Sequence, residues 1–437
     1  MSAVELVALV CCDLGAIVRG RSLPASELAA QADVGVGWVP ANHALTPIGT
    51  LAEPNPFGST GDLRLVPDLN THVRVAAPEE GSSALEFVLC DIVVTDGRPW
   101  ECCPRAFLRD GLAELRSAAG LGVVASFEQE FQLLADTPAA LAFSLEAQRR
   151  AEPFPSQAMS ALYEAGAQPE RFMPEYAAHQ FEIPVAPADG LAAADRAVVL
   201  REVVREVARR NGVRATFTPL LDPAQAGNGV HIHISLLDDD GGAALYDASR
   251  PGALSELGGS FAAGILAHAD ALSALCAPSP ISAERLTPHR WSAGAACLGL
   301  RNRETLLRIP PFVASLGEPG AQLRLEYRGA DAAANPYLAL GAIVRAGVDG
   351  IRRELPAPPI LEEDPSLLDQ AAAARYRVSA LPGSLQHALD QLAGDDAARS
   401  WLTPLMYEAY AAVKRAEIAA AAGEELHEVC GRYAAIY

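Results

Sequence analysis

Lysine is almost missing from this chain of 437 residues: of 34 basic residues only Lys414 is lysine, and the rest are arginine. A phosphate site built on a lysine would have to use that one residue, which lies in an Ala- and Glu-rich tail read as helical. Phosphate recognition therefore falls to arginine, metal or backbone N–H groups. Positive charge is scarce altogether, since 54 Asp+Glu give a net charge of -20 and a pI near 4.9. That leaves no basic face of the size that electrostatic binding of nucleic acid requires. Cys-x-x-Cys pairs are lacking, and the eight cysteines are scattered or adjacent. This reads as reduced, buried thiols in a cytoplasmic protein, not a secreted disulfide framework. Apolar runs of 18 residues are lacking too, charges such as Arg345 breaking each one, so no membrane span is expected. The apolar stretch 4–18 carries Glu5 and Asp13 without a basic leader, and is expected to be a strand, not a signal peptide.

Carboxylates and imidazoles, by contrast, recur in four short runs: Phe127-Glu128-Gln129-Glu130-Phe131, His179-Gln180-Phe181-Glu182-Ile183, Val230-His231-Ile232-His233-Ile234 and Leu323-Arg324-Leu325-Glu326-Tyr327-Arg328. A strand sends residues i and i+2 to the same side, so each run is apolar on one face and charged on the other. Any one run is compatible with an ordinary amphipathic strand, and a lone His-x-His pair is more often a satisfied core motif. Together they place metal-ligand residue types on what would be one shared face. Two like charges about 4 Å apart repel by roughly 4 kcal/mol at an effective dielectric near 20, so clustered glutamates need counter-ions. Oxygen-rich sites suit Mg²⁺ or Mn²⁺, and magnesium commonly keeps waters and meets a substrate phosphate. Arginines accompany the acids at Arg301, Arg303, Arg308, Arg324 and Arg328. Their planar forks match carboxylate and phosphate oxygens.

Residues 1–100 read as a small, mainly β domain in which 40–68 is a long loop. Residues 101–437 alternate strands with helices expected at 104–119, 156–165, 189–210, 254–276 and 332–353, followed by an all-helical tail over 366–423. The fold class is α+β: a small N-terminal β-grasp-like domain, then a large catalytic domain with a curved antiparallel sheet flanked by helices.

The ordered set Glu128-x-Glu130-Phe131, Glu170-x4-Glu175-x4-Gln180-x-Glu182, Gly227-Asn228-Gly229-Val230-His231-Ile232-His233-Ile234-Ser235, Arg285-x2-Pro288, Asn302-Arg303-x4-Arg308 and Arg324-Leu325-Glu326-Tyr327-Arg328 with Asn335-Pro336-Tyr337 resembles the glutamine synthetase superfamily. The resemblance runs from about Asp13 to the C-terminus. It implies that Glu130, Glu175 and Glu182 hold one divalent ion and Glu128, His231 and Glu326 another, with Mg²⁺ or Mn²⁺ at two or more sites and ATP as co-substrate. Arg285, Arg303 and Arg328, with the backbone at Gly227 and the side chain of His231, would grip glutamate and its acyl phosphate, Arg303, Arg328 and Glu326 taking the catalytic part. Glu170, His233, Ser235 and Arg308 fall on nucleotide-side positions. The resemblance also implies a two-ring homododecamer whose active sites form between subunits.

Departures from the family pattern decide the substrate. Where glutamine synthetases carry a flap glutamate that helps bind ammonium, this chain reads Arg285-Leu-Thr-Pro288-His289-Arg290-Trp291, with Trp291 at the acidic position. The N-terminal loop around Asn42 and His43 lacks the expected Asp, and Ala226 stands where Asn commonly precedes the glycine. Trp291 can be a packing residue that never meets substrate, and Phe143, aligned near the same pocket, is first read as packing. Losing the acids and gaining aromatic surface favours an amine with an apolar body, worth about 0.5–2 kcal/mol through cation–π contact. The expectation is an ATP-dependent ligase making a γ-glutamyl amide from glutamate and a small or polyamine-type amine. The alternatives are a glutamine synthetase using ammonia and a catalytically silent relative acting as sensor or scaffold.

Overall fold

The computed structural model describes residues 4–77 and 82–437. The N-terminal sheet contains β1 (Leu6–Cys12), β2 (Val18–Pro24), β3 (Val36–Trp38), β4 (Leu63–Pro67), β5 (Val73–Val75) and β6 (Leu85–Val94). Its order is β2-β1-β6-β4-β3, with β5 also paired to β6. The stretch 4–18 does form a strand and the turn into the next. The loop expected over 40–68 is only partly a loop, because β4 lies inside it. Leu63 and Leu65 are buried on one side of β4 and Arg64 is partly exposed on the other, an alternation too short to stand out among its Gly and Pro neighbours.

The second sheet has ten strands: β7 (Gly122–Leu134), β8 (Met173–Pro174), β9 (Gln180–Pro184), β10 (Ala188–Asp189), β11 (Arg214–Thr216), β12 (Val230–Leu237), β13 (Ala295–Leu300), β14 (Thr305–Ile309), β15 (Leu325–Ala330) and β16 (Ile360–Leu361). Its order is β16-β13-β14-β15-β12-β7-β9-β8, and all pairs from β14 to β8 are antiparallel. One edge departs from the antiparallel expectation, since β13 runs parallel to both β14 and β16. The chain doubles back over 301–304, where Arg301 adopts a left-handed φ of 57°, and no apolar periodicity marks such a reversal.

One face of this sheet is apolar: Phe127, Phe131, Phe181, Ile232, Ile234, Leu325 and Tyr327 are all buried. Helices pack behind it. The helix Pro104–Ala119 begins at a proline and stops at Gly120, whose φ of 70° is the left-handed conformation that ends helices. It packs on the helix Pro336–Arg352, which also contacts Glu256–Ala267. The single helix expected over 254–276 is in fact two, Glu256–Ala267 and Ala269–Cys276, bent by 73°. His268 holds the corner through Asp395 at 2.5 Å and Asp349 at 3.0 Å. The tail expected to be all-helical over 366–423 consists of the separate helices Gln370–Tyr376, Leu385–Gly394, Asp396–Trp401 and Pro404–Ala421. Each starts at its own side-chain cap, from Asp369, Ser384, Asp395 and Thr403. Among the described residues no single helix is long and apolar enough to cross a membrane. All eight cysteines are free and buried.

The two sheets are joined through Arg105. Its guanidinium donates to Asp195 at 2.9 and 2.8 Å, to Asp91 at 3.2 Å and to Asp68 at 2.8 Å, while the Tyr337 hydroxyl donates to Asp195 at 2.6 Å. Asp68 and Asp91 belong to the first sheet region, the others to the second. Replacing Arg105 with Met should leave three carboxylates facing one another without a shared cation. The expected loss is about 3–5 kcal/mol, read as a lower midpoint in urea unfolding; an unchanged midpoint would remove Arg105 from the account of how the two units hold together.

Candidate active site

The sheet register assembles the charged residues on one face. His231 lies opposite Glu128 and Glu130 opposite Glu182, while Glu326 is flanked by His233 on one side and Arg308 on the other. A register shift between β12 and β15, spanning Val230 and Ile232, lies beside Arg328. Bulges of this kind re-aim side chains. Three of the four charged runs thus fall on this face as expected, and the fourth does so in part. In that run Glu182 and Gln180 lie in β9, but His179 precedes it at a φ of 53° and bonds the Thr137 carbonyl at 2.8 Å.

Glu128, Glu182 and His231 each bring a potential ligand atom within 4.8 Å of the others. His231 Nδ1 stands 3.4 Å from Glu128 Oε2 and 4.0 Å from Glu326 Oε1, spacings of donors around a common ion. Glu128, His233 and Glu326 also converge, yet His233 Nδ1 accepts a hydrogen bond from Arg324 Nε at 3.2 Å. A neutral ring so engaged carries its proton on Nε2, which lies 3.0 Å from Glu128 Oε1. His233 Nε2 is nevertheless buried without a hydrogen-bond partner, so it stands free beside Glu128 and Glu326. Glu130 is engaged by backbone, its Oε2 accepting from Gly229 N at 2.7 Å and from Gln180 Nε2 at 3.3 Å.

Charge on this face is unbalanced without cations. Burial, then Glu128, Glu130, Glu175 and Glu326, push the Glu182 carboxyl up to about 10. Glu175 rises to about 8 through burial and Glu130, with Arg303 opposing. Burial would also raise Glu326, but Arg328, His233, His231 and Arg308 overcome it and hold that carboxyl at about 2. Glu128 is likewise held below its ordinary range by His233 and His231 against burial. Glutamates that can only share the site by taking up protons form a donor set that fits divalent, oxygen-seeking ions.

A carboxyl raised by folding contributes stability below its ordinary value and loses that contribution as pH climbs through the folded value. For Glu175 and Glu182 the window runs from 4.5 to about 8 and about 10, whereas Glu128 and Glu326 stay ionised throughout. Thermal melts of chelated protein should accordingly weaken from about pH 6 to about pH 8.5. Added Mg²⁺ should raise the melting temperature more at the higher pH; equal shifts at both, or none, would speak against a metal site.

The arginines differ in their freedom. Arg328 is buried and donates to Glu326, to the Trp291 carbonyl at 3.0 Å and to the Arg303 carbonyl at 3.0 Å. Arg308 donates to Glu326 Oε2 at 2.7 Å, and its Nε is buried without a partner. Arg303 is exposed. Arg285 is buried and donates to the Ala330 carbonyl at 2.8 Å, backing directly onto the glycine loop. A Cβ at Gly227 would come within 2.3 Å of the Pro219 carbonyl and 2.8 Å of Arg285, and one at Gly229 within 3.0 Å of Arg285. Only glycine fits at Gly227. Gln180 fixes the same loop, donating to the Gly227 carbonyl at 2.9 Å and to Asn228 at 3.0 Å.

On the nucleotide-side positions, the Ser235 hydroxyl donates to the Leu323 carbonyl at 3.0 Å, and Glu170 is an outlying group beside Arg171 at 3.5 Å. Lys414 is fully buried against Glu417 at 2.8 Å, so the chain's one lysine is out of reach of any phosphate. His43 is a core residue of its own chain, hydrogen-bonded by Trp38 and packed on Trp100.

Trp291 sits in the flap at a φ of 58°, with 48% of its surface exposed. Its ring stacks on Tyr176 at 4.6 Å, and Tyr176 meets Phe143 edge-on at 4.7 Å. Phe143, expected to be a packing residue, is half-exposed and reaches Trp291 only through Tyr176. Tyr176, Gln180 and Arg324 escaped assignment of a role from sequence. The signal for Tyr176 was its place next to Glu175.

Residues 101–429 match the family model described as glutamine synthetase, catalytic domain, and residues 1–100 the model described as glutamine synthetase N-terminal domain. The chain is 34% identical to gamma-glutamylpolyamine synthetase GlnA3 of Streptomyces coelicolor, over 98% of this chain and 92% of that protein. It is 32% identical to a glutamine synthetase of Thermus thermophilus, over 82% of this chain and 81% of that one. Among solved structures, a crystal structure described as a novel glutamine synthase homolog superposes with a TM-score of 0.92 at 47% identity, covering 100% of this chain and 99% of the other. GmaS in complex with ADP superposes with a TM-score of 0.81 at 27% identity, covering 97% and 95%.

Proposed function

The chain belongs to the glutamine synthetase family of ATP-dependent ligases, and on that premise we propose that it joins the γ-carboxylate of glutamate to a primary amine other than ammonia. The observation that carries this reading is the half-exposed ladder Trp291–Tyr176–Phe143 beside the carboxylate face. An ammonium ion needs small, close acids; an alkylammonium ion gains from aromatic faces along its carbon chain.

Glutamate's γ-carboxylate is a poor electrophile. It becomes reactive when its oxygen attacks the terminal phosphorus of ATP, releasing ADP. The amine lone pair then attacks the carbonyl carbon, the C–O bond to phosphate breaks, and the amine sheds a proton. In this scheme Glu130, Glu175 and Glu182, with Glu128, His231 and Glu326, hold Mg²⁺ or Mn²⁺. The ions supply charge neutralisation at the phosphates. Arg328 and Arg303 face the transferring group, and Glu326 fixes the fork of Arg328 so that little reorganisation remains. Arg285 and the Gly227 backbone shape the glutamate pocket. Arg308, His233, Ser235 and Glu170 belong to the nucleotide side.

The same reading divides the chain into domains 1–100 and 101–437. It places the protein in the cytoplasm as a homododecamer in which one subunit's small domain closes its neighbour's site. A glutamine synthetase using ammonia is the second reading, favoured by the Thermus relative. A silent scaffold would have no use for the convergence of Glu128, Glu182 and His231 beside Glu326. Phosphate release measured with glutamate, ATP, Mg²⁺ and either ammonium or a panel of amines separates these. At least one organic amine should exceed ammonium in kcat/KM by about tenfold or more, the equivalent of about 1.4 kcal/mol. Ammonium outperforming every amine would overturn the proposal.

A further inference from the structure

The flap is an arch closed at its base by one residue. Glu304, in the reversal between β13 and β14, accepts the His289 N–H on its carboxylate at 3.0 Å and the Gly294 N–H on its backbone carbonyl at 2.9 Å. Residues 290–293 span the gap between those two bonds, and Trp291 lies within it. His289 and Trp291 both have left-handed backbone, with φ of 65° and 58°. A residue with a side chain keeps that conformation only where its surroundings over-determine it.

The crown of the arch is tied at other points. Arg290 donates to the Pro223 and Gln225 carbonyls at 2.8 and 3.0 Å, and the Ser292 hydroxyl donates to the Arg285 carbonyl at 2.5 Å. Arg328 spans the carbonyls of Trp291 and Arg303, each at 3.0 Å. Glu304 is the tie at the base, and its side chain is what fixes the backbone of His289. A recess of about 190 Å³ adjoins this base, lined by Pro288, Gly294, Glu304, Asp364 and Ser366. Truncating Glu304 would enlarge it and leave the arch room to shift. The bond to His289 needs an oxygen acceptor, which glutamine retains and alanine lacks.

Resting on the amine-ligase reading, we infer that Glu304 is a positioning residue: by closing the arch it holds the Trp291 ring on Tyr176 and thereby sets the preference for an organic amine over ammonium. Glu304 itself touches no reacting atom.

The test compares the full-length protein with Glu304→Ala and Glu304→Gln. Glu304 is only partly buried, so both variants should fold. Kinetics would use ammonium and whichever of n-butylamine and 1,4-diaminobutane turns over faster. Glu304→Ala should raise the KM of that amine about tenfold, with kcat within about threefold and the KM values of glutamate and ammonium within about twofold. Glu304→Gln should stay close to wild type throughout. A second readout needs no turnover: trypsin should cut after Arg290, inside the arch, about tenfold faster in Glu304→Ala and at the wild-type rate in Glu304→Gln. An unchanged amine KM and an unchanged cut in Glu304→Ala, or equal losses in both variants, would overturn the inference while the amine reading stands. Ammonium outperforming both amines, with the cut faster in Glu304→Ala alone, would overturn the amine reading and leave Glu304 as the tie of the flap.

Discussion

Changing Glu128 to Gln should lower kcat/KM about 10³-fold without unfolding the protein. Glu128 occupies both convergent groups on the charged face, and its two oxygens lie 3.0 Å from His233 and 3.4 Å from His231. Glutamine fills the same space but carries no charge and offers one oxygen instead of two. Bound divalent ions supply several kcal/mol of charge stabilisation to phosphoryl transfer, and each 1.4 kcal/mol is about tenfold in rate. The fold should tolerate the change, because removing one anion relieves Glu182, whose carboxyl is pushed up to about 10 in part by Glu128. Two measurements belong together here. Phosphate release should collapse, and the Mg²⁺-dependent rise in melting temperature should shrink. Full activity in the variant would remove Glu128 from the metal site.

Trp291→Glu should move the enzyme toward ammonia. The Trp291 carbonyl is held by Arg328 at 3.0 Å, so the flap backbone stays in place while the side chain changes. Lost stacking with Tyr176 and lost cation–π contact should cost an organic amine about 0.5–2 kcal/mol, and the new carboxylate gives a small ammonium ion a partner. The ratio of kcat/KM for amine over ammonium should fall by about 10- to 100-fold. Trp291→Phe, which keeps an aromatic face, should fall much less. Equal ratios in wild type and Trp291→Glu would show that the flap does not read the nucleophile.

The elements legible in the sequence were those whose residues state two things at once. Glu128, Glu130, His231, His233 and Glu326 alternate with large apolar neighbours, which gave both the strand and the face; β7, β12 and β15 then aligned them. The glycines at 227 and 229 announced a tight approach, though not that Arg285 would be the group pressed against them. What stayed hidden depends on pairs distant in sequence. Nothing local says that Arg324 hydrogen-bonds His233 Nδ1 and so leaves only Nε2 of that ring facing Glu128. Phe143 and Tyr176 lie 33 positions apart (176 − 143), and only the fold makes them one surface with Trp291. The bend at His268 escaped periodicity because both flanking helices are apolar nearly all round. The reversal at Arg301 is a backbone event without a side-chain signature.

The most direct test places both nucleophiles in one vessel. Full-length protein, glutamate, ATP and Mg²⁺ would be incubated with equimolar ammonium and 1,4-diaminobutane, and the products weighed by mass spectrometry. The γ-glutamyl amide of the diamine should exceed glutamine by about tenfold or more. Glutamine as the dominant product would contradict the amine-ligase reading and return the protein to ammonia assimilation.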